Sequence, residues 1–210
     1  RRHDFILIGS VLIYNQITMI FLIAGSQTPI LKKQLSRLLD ERLLTVDDFN
    51  CSRLDGRDVL AQDIAYEASV LPIGATRKAV VIENPYFLLK EKGKNKIDKD
   101  QKYQPLIEII KEPSEDIDLV FVLDSADFDE KSEVLKAIRQ HGEMTIIPEL
   151  DASKWFEYGK SYFRAQKASI DNDALRELIE RVNGDLNTFI NESNKLMLYK
   201  NHINLIDVTL

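Results

Sequence analysis

Short apolar runs of strand length alternate with segments of helical period from residue 20 to Pro148. A strand buried on both faces reads as a continuous apolar run, and a parallel neighbour is reached through a long crossover, usually a helix. The runs predicted to be strands are residues 20–24, 49–54, 79–83, 119–123 and 144–147. This alternation predicts an α/β fold built on a parallel sheet.

Beyond Pro148 the apolar residues follow a helical period only, and no further strand is expected. The predicted helices are residues 151–166, 173–182 and 186–199, the last of them capped by Asp185. Side chains such as Asp185 accept hydrogen bonds from the first free N–H groups of a helix. We therefore expect an α/β domain at 19–149 and a small helical domain at 150–204.

The connection after the first predicted strand, in the stretch "FLIAGSQTPILKKQL", has the place of a phosphate-binding loop. The strand ends at Gly25, and a helix is expected to begin with Thr28 as its cap and Pro29 in its first turn. An active loop needs the pattern GxxxxGK[ST], whose small residues and Lys surround the phosphates and whose hydroxyl holds magnesium.

Counted from Gly25, the second Gly is replaced by Ile30, the Lys by Leu31 and the hydroxyl residue by Lys32. The next lysine along a helix points about 100° away, so a neighbour does not simply take over. The loop is predicted to be degenerate and without function in phosphate binding.

An active ATPase with a divergent loop stays open as the alternative. It would use carboxylates after buried strands to hold magnesium and the attacking water, and Glu83 and Asp124 follow two of the predicted strands. Acidic residues after strands also serve as turn residues and helix caps, which favours a non-catalytic protein.

Cysteine and histidine are too few and too scattered for the common catalytic and metal sites. Cys51 is the single cysteine, so an intrachain disulfide and a multi-cysteine zinc site are excluded, and His3, His141 and His202 have no ligand-like spacing. We expect no catalytic residues, no metal and no cofactor, in a cytoplasmic protein.

The N-terminal segment 5–24 is apolar over about the length of a membrane span, but Gly9-Ser10 and Asn15-Gln16 interrupt it. Met19 stands directly before the first predicted strand. We interpret residues 1–18 as an extension outside the fold, and a signal or membrane segment is the alternative.

Residues 90–102 contain six lysines and three acidic residues without an apolar period. This composition predicts a mobile, solvated loop, with contact to DNA as the alternative. The net charge of −6 argues against a protein that binds phosphate backbones over much of its surface.

The connection before the third predicted strand has an unusual apolar composition. Leu71, Pro72 and Ile73 come before Gly74 in "ASVLPIGATRKAVVIE", although loops normally lie on the surface. Either these side chains tuck under the sheet, which composition alone favours, or they are presented to a partner.

Taken in order, four stretches resemble one family, the delta subunits of the bacterial DNA polymerase III clamp loader. They are "MIFLIAGSQTPILKKQL", "ASVLPIGATRKAVVIENPYFL", "DLVFVLDSADFD" and "ALRELIERVNGDLNTFINESNKLMLY". The resemblance implies an AAA+-like domain without ATPase activity, followed by a helical lid. It also implies a collar domain that would begin after 210.

The resemblance further implies the partners. Members of this family bind the beta sliding clamp and open it for loading on primed DNA, and they join the gamma/tau and delta-prime subunits through the collar. The hydrophobic pair that enters the clamp corresponds to Pro72 and Ile73, with Leu71 adjacent. Members often carry an aromatic residue where this chain has Ile73.

Overall fold

The computed structural model of the protein describes residues 5–8, 11–14, 18–43 and 45–209. Its contacts divide the chain into two compact units. The first unit comprises Arg1–Ala24 and Lys33–Ile146, and the second comprises Gly25–Lys32 and Ile147–Leu210.

The predicted extension 1–18 lies partly outside the described residues. Within it, strand β1 (Phe5–Ile8) pairs antiparallel with strand β2 (Val11–Tyr14).

A five-stranded parallel sheet forms the centre of the first unit, which confirms the predicted sheet. Its strands are β3 (Ile20–Ala24), β4 (Cys51–Asp55), β5 (Lys78–Glu83), β6 (Ile117–Leu123) and β7 (Glu143–Ile146). They lie in the order β4-β5-β6-β3-β7, and every pair is parallel. The three inner strands are almost wholly buried and the two edge strands are half exposed, as expected from their apolar content.

Four helices connect these strands: α1 (Thr28–Arg42), α2 (Ala61–Glu67), α3 (Gln104–Lys111) and α4 (Glu133–His141). Helix α4 begins at Ser132, whose side chain accepts a hydrogen bond from the N–H of Leu135, and it ends at Gly142. Apolar residues of α2, α3 and α4 pack with the inner strands into one core.

The lysine-rich segment contains more hydrogen-bonded structure than its composition predicts, and its mobility stays a prediction. A 3-10 turn spans Lys96–Asp100. Tyr86 donates a hydrogen bond from its hydroxyl to Asp98 at 2.6 Å, and Gln101 accepts one from the N–H of Ala61 at 2.8 Å. Burial, followed by this bond to Asp98, raises the pKa of Tyr86 to about 12. Polar side chains at fixed spacing thus hold a segment that has no apolar period.

The second unit is a small helical bundle. Its helices are α5 (Ala152–Ala165), α6 (Asn172–Val182), α7 (Leu186–Tyr199) and α8 (Leu205–Thr209). Trp155, Phe163, Leu175 and Phe189 are prominent in its buried core. Asp185 caps α7 as predicted, accepting hydrogen bonds from the N–H groups of Asn187 and Thr188.

The expectation of no strand after Pro148 is wrong in one detail. Strand β8 (Ser169–Ile170) pairs parallel with strand β9 (His202–Ile203). A strand of two residues is too short to show a period, so the sequence carries no signal for it.

Among the described residues, no helix is both long enough and apolar enough to cross a membrane.

Candidate functional site

The turn after β3 is short and closely packed. Gly25 has a φ of +150°, and a Cβ atom added there would lie 2.4 Å from the carbonyl oxygen of Ile147. Helix α1 follows after Ser26 and Gln27 only. The Gln27 carbonyl accepts hydrogen bonds from the N–H groups of Ile30 and Leu31, at 2.9 Å and 3.0 Å. Gln27 therefore holds the cap position that we predicted for Thr28.

Two backbone donors of this turn are used inside the helix, whereas the N–H groups of Ser26, Gln27 and Thr28 have no backbone partner among the described contacts. A phosphate loop surrounds its ligand with free N–H groups. Here the N–H groups of Ile30 and Leu31 are used inside the helix, and Pro29 has none. The strand and helix are arranged as in a phosphate-binding unit, and the loss of phosphate binding stays a prediction from the sequence.

The side chains at the three substituted positions are placed as apolar packing dictates. Leu31, where the pattern requires Lys, is only 3% exposed. Ile30 packs against the core of the second unit, and Lys32 is exposed.

A groove of about 410 Å³ in the second unit borders the first turn of α1. Its lining includes Ser26, Gln27, Thr28, Pro29, Glu149, Leu150, Trp155 and Asp185. Both charged residues of this lining are acidic, and Asp185 is already the cap of α7. A nucleotide phosphate in this groove would meet negative charge with no lysine or arginine from the described lining to offset it.

The two carboxylates of the ATPase alternative are not assembled into a metal site. Glu83 forms an ion pair with Arg53 at 2.9 Å, and both side chains are about half exposed. Asp124 is exposed after the end of β6. Within the described part of the chain, no group of three His, Cys, Asp or Glu side chains could hold a metal ion.

The loop between α2 and β5, residues 68–77, presents apolar side chains to solvent. Leu71 is 61% exposed and Ile73 is 83% exposed, whereas Pro72 is half-buried. The tucked arrangement that composition favours therefore does not hold for Leu71 and Ile73. Gly74, with a φ of +76°, follows them in a backbone conformation that L side chains rarely adopt.

One ion pair joins the two ends of this loop. Lys78, at the start of β5, donates to the carboxylate of Glu67 at 2.5 Å and to its backbone carbonyl at 3.1 Å. Ser52 of β4 donates to the same carboxylate at 2.7 Å. Burial acts to raise the pKa of Glu67, but the hydrogen bonds from Lys78 and Ser52 and the Lys78 charge outweigh it and lower the pKa.

A second cluster, formed by Arg42, Arg77 and Asp118, holds the carboxyl end of the loop. Arg77 donates to Asp118 at 2.8 Å, and Arg42 of α1 donates to the same carboxylate at 2.6 Å. The Asp118 side chain is 1% exposed. Charge-assisted bonds of this kind fix a segment more firmly than neutral ones do.

Sequence reasoning missed this cluster, although a signal was present. Asp118 is a single charged residue inside the apolar run "IDLVFVL". A carboxylate is buried only with compensating partners, so the strand predicts a cation nearby, but it does not say which one.

Comparisons with known proteins agree with this architecture. The family model described as "DNA polymerase III, delta subunit" matches residues 21–147. The DNA polymerase III subunit delta of Bacillus subtilis (strain 168) is 29% identical over 202 residues, which are 92% of this chain and 56% of that protein. The chain thus spans a little more than half the length of this relative.

Solved structures give the same result. The Bacillus subtilis DNA clamp loader delta protein superposes with a TM-score of 0.65 at 26% identity, covering 91% of this chain and 57% of that one. The Thermotoga maritima RuvB Holliday junction branch migration motor has a TM-score of 0.55 at 16% identity, covering 92% of this chain and 60% of that one. The second likeness concerns the fold alone, and together they confirm an AAA+-like fold. The match to the family model over more than half of the sequence places the chain in the DNA polymerase III delta subunit family.

Proposed function

We propose that this chain binds the beta sliding clamp and opens it, so that the ring can be loaded on primed DNA. One observation carries the proposal: Leu71 and Ile73 are exposed on a loop whose two ends are fastened together. The anchor comprises Leu71, Pro72 and Ile73.

The fastened loop favours tight binding. Ordering a loop at an interface subtracts from affinity, and a loop already fixed in the free protein avoids most of that loss. The Lys78–Glu67 and Arg77–Asp118 pairs supply this fixation. Exposed apolar side chains on a fixed loop are suited to fill a pocket on a partner and to contribute much of the binding energy.

Opening of the ring follows from a difference in affinity. A ligand shifts an equilibrium only as far as it binds one state better than the other. The chain therefore binds the open or strained form of the clamp more tightly than the closed form.

The chain contributes no ATP hydrolysis of its own in this proposal. The buried Leu31 and the acidic groove beside α1 support that view, because neither provides a cation for phosphate groups. In this proposal ATP acts on neighbouring subunits of the loader, and the chain meets primed DNA only through the whole complex. We place this activity in the cytoplasm, where a replication subunit would act.

A titration of the cognate clamp by calorimetry, without ATP, tests the proposal. We expect saturable binding in this titration. In a separate assay, we expect the chain to accelerate the release of the clamp from nicked circular DNA. Absence of binding would contradict the proposed function. Titration with magnesium ATP tests the ATPase alternative, and micromolar binding of ATP would overturn the non-catalytic assignment.

A further inference from the structure

Among the residues of the first unit whose side chains the structure describes, the exposed large apolar ones are concentrated in two connections. Those exposed are Val46, Phe49, Tyr66, Leu71, Ile73 and Ile146. All but Ile146 lie just before β4 or between the last turn of α2 and β5. Single exposed apolar residues are ordinary, but a concentration of them at one place marks an interaction surface.

Phe49 lies on a turn closed by several hydrogen bonds and is 82% exposed. The Asp47 carboxylate accepts hydrogen bonds from the N–H groups of Phe49 at 2.9 Å and Asn50 at 3.1 Å. Asn50 in turn accepts from the N–H of Asp47 at 3.0 Å and donates to the carbonyl of Thr45 at 2.6 Å. An aromatic side chain on such a turn loses little conformational freedom when a partner covers it.

The turn that carries Phe49 leads into β4, and the loop that carries Ile73 leads into β5. Because β4 and β5 are parallel neighbours, both connections lie at the amino ends of these strands. The carbonyl of Asn50 accepts a hydrogen bond from the N–H of Ala79 at 2.8 Å. Cys51 and Ala79 are paired residues of β4 and β5. The Ser52–Glu67 hydrogen bond ties the same part of β4 to the end of α2.

We propose that Phe49 is a second anchor on the sliding clamp, which enters an apolar recess beside the one that receives Leu71 and Ile73. This inference rests on the proposed function and extends its contact surface across the amino ends of β4 and β5. The exposed Asp48 makes no ion pair with any residue that the structure describes. The recess for Phe49 is therefore expected to have a lysine or arginine at its rim.

Three variants of the full 210-residue chain test this inference: Phe49→Ala, Ile73→Ala and Tyr199→Ala. Tyr199 is the matched control, because it is an aromatic residue of nearly equal exposure, 86%, in the second unit. We expect Phe49→Ala to raise the Kd for the clamp by at least about fivefold, Ile73→Ala to do the same, and Tyr199→Ala to leave it unchanged. The melting temperature of Phe49→Ala should match that of the wild type, since the side chain is exposed.

The outcomes separate the two proposals. If Ile73→Ala weakens binding while Phe49→Ala behaves like Tyr199→Ala, the second anchor is overturned and the proposed function stands. If the wild type does not bind the clamp, the proposed function fails and the second anchor fails with it. Analytical sedimentation of the chain without the clamp tests whether a second copy of the chain covers Phe49 instead. If the wild type self-associates, and Phe49→Ala abolishes this without changing the affinity for the clamp, the surface is assigned to a second copy of this chain.

Discussion

Apolar side chains are placed in opposite ways in the connection after β3, which leads into α1, and in loop 68–77 before β5. In the first, Leu31 is buried where a phosphate-binding protein presents a cation. In the second, Leu71 and Ile73 are exposed where an ordinary loop would bury them or carry polar residues. A chain with an active phosphate loop would present a lysine at the position of Leu31.

This difference supports the proposal that the chain acts through contact with another protein. Burial of Leu31 stabilises the protein and removes the means of holding a phosphate. Exposure of Ile73 is unfavourable for the free protein, so a partner that covers it gains that apolar surface as binding energy. The ends of the second loop are held by ion pairs to Asp118 and Glu67. Among the described contacts, no ion pair holds the first turn.

The largest expected loss of stability comes from removing the carboxylate that pairs with Arg77 at the end of loop 68–77. Asp118→Ala would leave Arg42 and Arg77 facing each other without a counter-charge. Breaking a buried ion pair in this way lowers the free energy of unfolding by about 3–5 kcal/mol. Urea denaturation measures the loss.

The control for Asp118 is Glu41→Ala. Glu41 pairs with Arg37 at 2.7 Å on an exposed face of α1. Its removal should lower the free energy of unfolding by less than about 1 kcal/mol. Equal losses in the two variants would show that the Asp118 cluster does not fix the loop.

The next effect tests whether the first turn can be returned to phosphate binding. Leu31→Lys restores the lysine of the pattern, but it replaces a side chain that is 3% exposed. Loss of a buried leucine alone lowers the free energy of unfolding by about 2–5 kcal/mol. We expect a less stable protein that binds no magnesium ATP in calorimetry. A stable variant that binds ATP would show that the turn still forms a phosphate site.

A smaller effect concerns the Glu67–Lys78 pair and its dependence on pH. The folded pKa of Glu67 is lowered from its unfolded value of about 4.5, so the stabilisation is present above that pH and is lost as the pH falls through the folded pKa. Glu67→Gln should therefore lower the free energy of unfolding at pH 7 by about 1–2 kcal/mol. The difference from the wild type should shrink below about pH 4, as followed by urea denaturation at several pH values.

Glu192→Gln provides the matched control for this prediction. It removes the same charge from an exposed pair with Lys195. Its effect at pH 7 should stay below about 0.5 kcal/mol. A difference for Glu67→Gln that does not change with pH would rule out the ion pair as its source.

The sequence predicts the strands and helices well because their signals are local. Strand β3 lies at the predicted residues, and α7 has the predicted bounds and cap. The fastening of loop 68–77 could not be predicted in the same way. Glu67 and Lys78 meet only after α2 has packed and β5 has joined the sheet, and Asp118 finds Arg42 from 76 positions away.

The exposure of Ile73 is also a feature that local sequence signals do not predict. Composition favours burial of an apolar loop, since the average apolar residue is inside. Only the packed structure shows that Leu71 and Ile73 are exposed, on a loop whose ends are held by the ion pairs of Glu67 and Asp118. The four quoted stretches, through their resemblance to the delta subunit family, predict a partner for this loop where composition does not.

The most direct test of the account compares one pair of exposed residues in loop 68–77 with a single exposed residue of the second unit as anchors for the sliding clamp. Leu71→Ala with Ile73→Ala should raise the Kd at least about tenfold, because buried apolar anchors each contribute more than about 1 kcal/mol. Leu198→Ala, which removes a leucine that is 83% exposed like Ile73, should leave the Kd unchanged. Equal affinities for the double variant and for Leu198→Ala would contradict the claim that loop 68–77 carries the contact with the clamp.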